Sequence, residues 1–265
     1  MNKLIVNADD LGMTPGTNKA IFDGFDHGII THSSIMANSD YFSEAVEGIK
    51  TRDDLKIGIH LNLTYGKALH YNRVYNDCNG FFNLGFLPIL RKSISQKEFL
   101  QAVEKEFESQ ILHVLNAGIA ITHIDSHRHI HLIPNIYKIV IDLSVKYHIK
   151  RVRLINENFL ESLMMTKRCD FLLNGGLIKF ILLKILTAIN CKKFNSNSPI
   201  KFYSILYTGV VHKEVLERLR RSDQSYEIMV HPGIPDLDSG VVFHNKNEKI
   251  YRLSKERENE FTAVL

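Results

Sequence analysis

The feature that most constrains this chain is an alternation of short β-rich runs with longer helical ones, in which ionisable residues gather where the β-rich runs end. "KLIV" leads into "NADD", "KIGIH" closes on His60, "IAIT" is followed by "HIDSH", and "EIMV" by "HPG". Repeated βα units over 265 residues predict an α/β fold built on a parallel sheet or barrel. Polar residues at the C-terminal ends of strands are where barrel active sites lie. No internal repeat, low-complexity run or Pro/Gly/Ser-rich linker divides the sequence, so one domain spanning residues 1–265 is expected.

Pro15 near its first turn and Gly28 after its last bracket the first predicted helix. "HSSIMAN" and "LKIGIHLNL" read as strands on either side of a helix over residues 41–50. Residues 64–95, with Gly66, Gly80, Gly85 and Pro88 among aromatics, read as a long loop excursion, a kind of segment that often carries function. An amphipathic helix ending at Gly118 follows, then strand "IAITHID", helix "PNIYKIVIDLSVKYH", strand "KRVRL", strand "KFYSILY", helix "HKEVLERLRRS" and strand "SYEIMVH".

Composition narrows the partners. A net charge of +4, from 33 basic and 29 acidic residues scattered along the chain, gives no basic stripe for nucleic acid. Cys78, Cys169 and Cys191 lie far apart without a C-x-x-C pair, which fits a reducing cytoplasm better than a disulfide framework or a zinc ribbon. The apolar start runs straight into acidic residues and is too short for the core of a signal peptide. "FLLNGGLIKFILLKILTAIN", Phe171 to Asn190, approaches membrane-spanning length, but Lys179 and Lys184 make a span costly. A buried or lid helix, or one lying on a membrane surface, remains for residues 171–190.

"THIDSHRHIHLIPN", Thr122 to Asn135, sets Asp125, His127, His129 and His131 at alternate positions. Imidazole so concentrated points to metal binding or proton transfer. His127 is the strongest candidate, and His129 and His131 either line the pocket or support it from behind. Asp9 and Asp10 are neighbours whose side chains would diverge in a regular strand, so both reach one pocket only if the strand ends in a turn there; a helix cap is the bland reading. His60 between Ile59 and Leu61 is a ligand or a hydrogen-bonded core histidine. Arg153 would orient Asp9 or a substrate from a neighbouring strand end, or is a surface arginine.

"LIVNADDLG", "IGIHLNLT", "THIDSHRHIH" and "MVHPG", in this order, resemble the motifs of the YdjC-like carbohydrate deacetylases, the family of the ChbG-type chitooligosaccharide deacetylases. The resemblance implies a distorted, TIM-like (β/α) barrel, a homodimer, and one divalent metal, Mg²⁺ first with Zn²⁺ or another transition ion as alternatives. Carried over, the ligands fall on Asp10, His60 and His127, a general base on Asp9 and a general acid on His231. Asp125, His129, His131 and Arg153 fall around substrate or behind the ligands. Arg128 departs from the family run, which commonly has histidine there, and by strand alternation it would face away from the metal. The sequence ends in "NEFTAVL", inside a predicted helix, where relatives continue to a last strand.

The expected reaction is hydrolysis of an N-acetyl group on an amino sugar within an oligosaccharide or glycoconjugate. A metal-dependent phosphoesterase or an amidohydrolase on the same barrel is the alternative, although the latter usually opens with H-x-H where this chain has "NADD". A non-catalytic sugar-binding protein is the third reading.

Overall fold

A computed structural model describes residues 4–166, 175–196, 198, 200–243 and 246–265 of the chain. Strand β1 (Leu4–Leu11) is followed by helix α1 (Pro15–Asp26), β2 (His32–Ile35), α2 (Phe42–Lys50) and β3 (Lys56–Leu61). Helices α3 (Phe86–Ser95) and α4 (Lys97–Asn116) precede β4 (His123–Ser126), α5 (Pro134–Lys146) and β5 (Arg151–Val152). Then come α6 (Phe159–Thr166), α7 (Gly176–Phe194), β6 (Lys201–Tyr203), α8 (Lys213–Arg220), β7 (Tyr226–Val230), α9 (Lys246–Arg252) and α10 (Lys255–Val264). Cys169 and residues 171–174 of the apolar segment lie outside the described residues.

All strand pairs are parallel, in the order β5-β4-β3-β2-β1-β7-β6. The sheet is strongly curled. β5 and β7 stand five places apart, roughly 24 Å in a flat sheet, yet Arg153, directly after β5, meets Glu227 of β7 at 2.7 Å. The chain following β5 also touches β6, where Phe202 N–H donates to the Asn156 carbonyl at 3.3 Å. Among the described residues these two edges are not paired as strands, so the expected TIM-like barrel is here a curled seven-stranded sheet without a closed ladder.

Strand alternation sorts the residues. Val6, Ala8, Ile57, Ile59, Leu61, Ile124, Ile228 and Val230 join the buried apolar layer beneath the helices. The other face of the curl is polar: Asn7, Asp9, Ser34, His60, His123, Asp125, Arg153 and Glu227 are all buried. Gly58 leaves room for this packing, since a Cβ there would come within 2.3 Å of the His123 ring.

Several expectations change in detail. The 64–95 excursion is not all loop, because Phe86–Ser95 is helical. The rest is anchored by buried Glu106, which accepts from the N–H groups of Leu69 and His70 at 3.1 and 2.6 Å. α1 starts from Thr14, whose hydroxyl accepts the Thr17 N–H at 3.1 Å with Pro15 in the first turn, so the cap is not one of the two aspartates. Among the described residues no helix is long and apolar enough to cross a membrane.

Candidate active site

β1 does not end at the two aspartates. Its register against β2 runs from Ala8 opposite Ser33 to Leu11 opposite Ile35, a bulge that places one extra residue on β1. Asp10 takes up the bulge with φ +73°, a left-handed conformation that is uncommon outside glycine and concentrates at functional sites. Asp9 and Asp10 thereby both reach the polar interior, where each is at most 2% exposed.

β4 stops at Ser126, and His127–Leu132 forms a 3-10 turn in which Arg128 and His129 have φ of 55° and 57°. Alternation therefore does not govern Arg128, which is exposed and sits on the rim of the same cavity as His127 and His129. Ser126 fixes the turn by accepting the His131 N–H at 2.9 Å. The His131 ring is locked away from the cavity: its Nε2 donates to the Arg153 carbonyl at 3.0 Å, and its Nδ1 accepts from the Ser126 hydroxyl at 2.6 Å.

The strand ends surround a cavity of about 230 Å³ reached by Asp9, Asp10, His60, His127, His129 and His231. Lys179 of α7, Thr208 and residues of α9 complete it, and no residue of the 64–95 stretch does. A larger apolar cavity of about 440 Å³, near Leu4 and Leu216, holds none of these groups.

Asp10 Oδ1 lies 3.3 Å from His60 Nε2 and 3.4 Å from His127 Nδ1, and these donor atoms all lie within 4.8 Å of one another. His60 Nδ1 donates to Asp125 Oδ1 at 2.7 Å, which turns Nε2 toward Asp10. A carboxylate behind a ligating imidazole is the usual support of a metal-binding histidine. One carboxylate oxygen and two imidazole nitrogens beside an open cavity fit a divalent ion. A second group, Asp9, His60 and Asp125, is equally close. It is already occupied by the Arg153 guanidinium, 2.7 Å from Asp9 and 2.6 Å from Asp125.

The charges nearly balance. Buried Asp9, Asp10, Asp125 and Glu227 face Arg153, Arg252, Arg257 and the His60 ring. Burial works against a charge on Asp10, but Arg252 at 2.8 Å and the two histidines outweigh it and hold the carboxyl well below the usual range. Burial raises the Asp9 carboxyl, and Arg153 offsets only part of that rise. Burial also opposes protonation of His60, yet Asp125, Asp10 and Asp9 prevail and push the ring up to about 10. His231 is lowered well below its ordinary value by burial, helped by the Arg257, Arg252 and Lys179 cations. Its Nδ1 is buried and has no hydrogen-bond partner among the described residues, lying 3.9 Å from Glu260.

The interior thus gathers Asp9, Asp10, His60, Asp125, His127, His129, Arg153 and His231, and leaves His131 as a brace of the backbone. Arg153 is 1% exposed and central, not a surface residue. Sequence reasoning missed Glu227, Lys179, Arg252 and Arg257. Glu227 had a signal, a carboxylate between Tyr226 and Ile228 in an otherwise apolar strand. Glu248 and Arg252 had another, a helical i,i+4 pair within a strongly charged stretch.

The chain matches the family model for YdjC-like proteins over residues 3–265. It is 32% identical over 167 residues to the carbohydrate deacetylase of Clostridium beijerinckii, covering 62% of this chain and 66% of that protein. It is 36% identical over 152 residues to the carbohydrate deacetylase of Thermoanaerobacter pseudethanolicus, covering 56% and 59%. These matches span less than two thirds of each relative's own length. Among solved structures, a candidate cellobiose-phosphate cleavage protein from Enterococcus faecalis V583 shares the fold, with a TM-score of 0.64, 23% identity, and coverage of 99% of this chain and 95% of that one. The chain belongs to the YdjC-like protein family.

Proposed function

We propose that this chain is a metal-dependent carbohydrate deacetylase that removes an N-acetyl group from an amino sugar in an oligosaccharide or glycoconjugate. The observation that carries the reading is the convergence of Asp10, His60 and His127 on one cavity with Asp9 and His231, in a family whose relatives are named carbohydrate deacetylases. A volume of about 230 Å³ suits a single sugar-sized group, with the rest of a longer substrate outside.

Asp10, His60 and His127 would hold the ion, and their two imidazoles weigh toward Zn²⁺ or another transition ion against the Mg²⁺ that the family resemblance implies. Such an ion, when bound, supplies an acidified water and polarises the acetamide carbonyl. Asp9 takes the proton of the attacking water. Arg153, bidentate to Asp9, and Asn7, donating to Asp9 Oδ1 at 2.7 Å, fix that carboxylate in place. Its raised affinity for a proton, due first to burial, suits a base working near neutral pH. His231, neutral at rest, takes up a proton from solvent as the carbonyl is attacked and delivers it to the leaving nitrogen, because an amide anion is too basic to depart, while Asp9 afterwards returns its proton to solvent. The negative charge that develops on the attacked carbonyl is the counter-charge against which its ring becomes protonated. The C–N bond breaks, giving acetate and the free amine.

Acetate release from N-acetylated mono- and oligosaccharides, measured with added Zn²⁺, Mn²⁺, Co²⁺ or Mg²⁺ and again with chelator, tests the reading. Chelator-sensitive release is expected. No release from any N-acetylated glycan, together with efficient cleavage of phosphate esters, would put the phosphoesterase in its place.

A further inference from the structure

α7 has two apolar faces. Phe180, Leu183 and Leu186 are buried in the core, and the Asn190 side chain pins the helix by donating to the Leu132 carbonyl at 2.8 Å. On the outer face Ile178, Ile181, Ile185 and Ile189 are 74%, 49%, 53% and 42% exposed. Their spacing of three or four residues lines them up as one stripe. Scattered exposed apolar residues are ordinary, but four isoleucines in one stripe form a patch that marks an interaction surface.

The charges on the helix indicate what covers the stripe. Gly176–Phe194 contains no aspartate or glutamate and four lysines. Lys179 turns toward the catalytic cavity, with Nζ donating to the Thr208 hydroxyl at 3.3 Å. Lys192 and Lys193 are exposed and Lys184 is half-buried. Pairing the stripe with that of a second copy would bring the lysines of both helices together with no acidic residue on either. An anionic lipid surface takes the isoleucines into its acyl boundary and the lysines at its headgroups.

We propose that α7 is a membrane-docking helix that lies flat on an anionic bilayer through Ile178, Ile181, Ile185 and Ile189, with Lys184, Lys192 and Lys193 at the headgroups. Because Ile178 directly precedes Lys179 of the cavity lining, docking brings the cavity rim close to the headgroup layer. This inference stands apart from the deacetylase reading, and its test needs no substrate.

Flotation of the full chain with vesicles of phosphatidylcholine alone, or of phosphatidylcholine mixed with phosphatidylglycerol, tests it. Binding to the anionic vesicles that weakens with salt is expected. The double substitution Ile181→Ser/Ile185→Ser should lower partitioning at least about tenfold. Lys192→Gln/Lys193→Gln should lower it roughly fivefold per lysine at low salt, and decides the matter if the isoleucine variant misfolds. Absence of binding to anionic vesicles overturns the inference, as does binding that neither variant changes. An isoleucine variant that splits a dimer in sedimentation and leaves vesicle binding intact would assign the stripe to a second copy instead.

Discussion

Asp125 Oδ1 accepts the Nδ1–H of His60 at 2.7 Å, so the direction and tautomer of that imidazole are set from behind the cavity. Asp125→Asn offers an amide that can donate to Nδ1 and move the ring proton to Nε2, the atom that faces Asp10. Affinity for Zn²⁺ should fall about 10- to 100-fold by calorimetric titration. Unchanged affinity in a folded variant would remove Asp125 from the support of the metal site.

Asp9→Asn keeps the shape of the carboxylate and removes the proposed base. It should retain metal and fold, and lose on the order of 10²- to 10⁴-fold in kcat for acetate release. His231→Ala should fall in the same range. Near wild-type turnover in either variant shows that the proton passes elsewhere.

Arg153 pairs with three buried carboxylates at once, with Asp9 at 2.7 Å, Asp125 at 2.6 Å and Glu227 at 2.7 Å. Arg153→Met leaves them facing one another and should cost roughly 3–5 kcal/mol of stability. Arg153→Lys restores the charge without the planar fork and should recover only part of the loss. Denaturant midpoints measure both, and a methionine variant as stable as the parent contradicts the role given to this cation.

The His131 ring is lowered from 6.5 to about 4, first by burial. A depressed histidine stabilises the fold fully above its unfolded pKa, because there neither state carries the proton. As pH falls from 6.5 to 4 the unfolded chain takes up a proton that the folded chain refuses, and a contribution of roughly 3 kcal/mol drains away. The stability difference between wild type and His131→Asn, followed by urea unfolding, should therefore shrink across this range. A constant gap would show that the ring is not held neutral.

Much of the order of strands and helices was legible because β-rich and helical runs alternate, and four of the strand ends carried a polar signature, at which Asp9, Asp10, His60, His127 and His231 stood. What could not be read was how the backbone departs from regularity. Alternation sends Asp9 and Asp10 apart, and only a bulge with Asp10 at φ +73° brings both inside. Alternation also turned Arg128 away from the site, whereas consecutive left-handed residues put it on the rim. A curled sheet was expected from the repeated βα units and the family resemblance, but not that its closing round would bring Arg153 to Glu227. Arg252 and Arg257 lie in a stretch whose charge density reads as solvated surface, and their burial follows from the carboxylate they face.

That carboxylate belongs to Asp10, near the start of the chain, while the guanidiniums beside it come from α9 and α10, more than 240 residues later. During synthesis the segments bearing Asp10, His60 and His127 leave the ribosome well before Arg252 and Arg257 do. Until those two arginines arrive, the Asp10 carboxylate lacks the cations that offset its burial and favours water or a proton over a dry interior. The order of translation thus makes the electrostatic setting of residue 10 one of the last features of the site to mature.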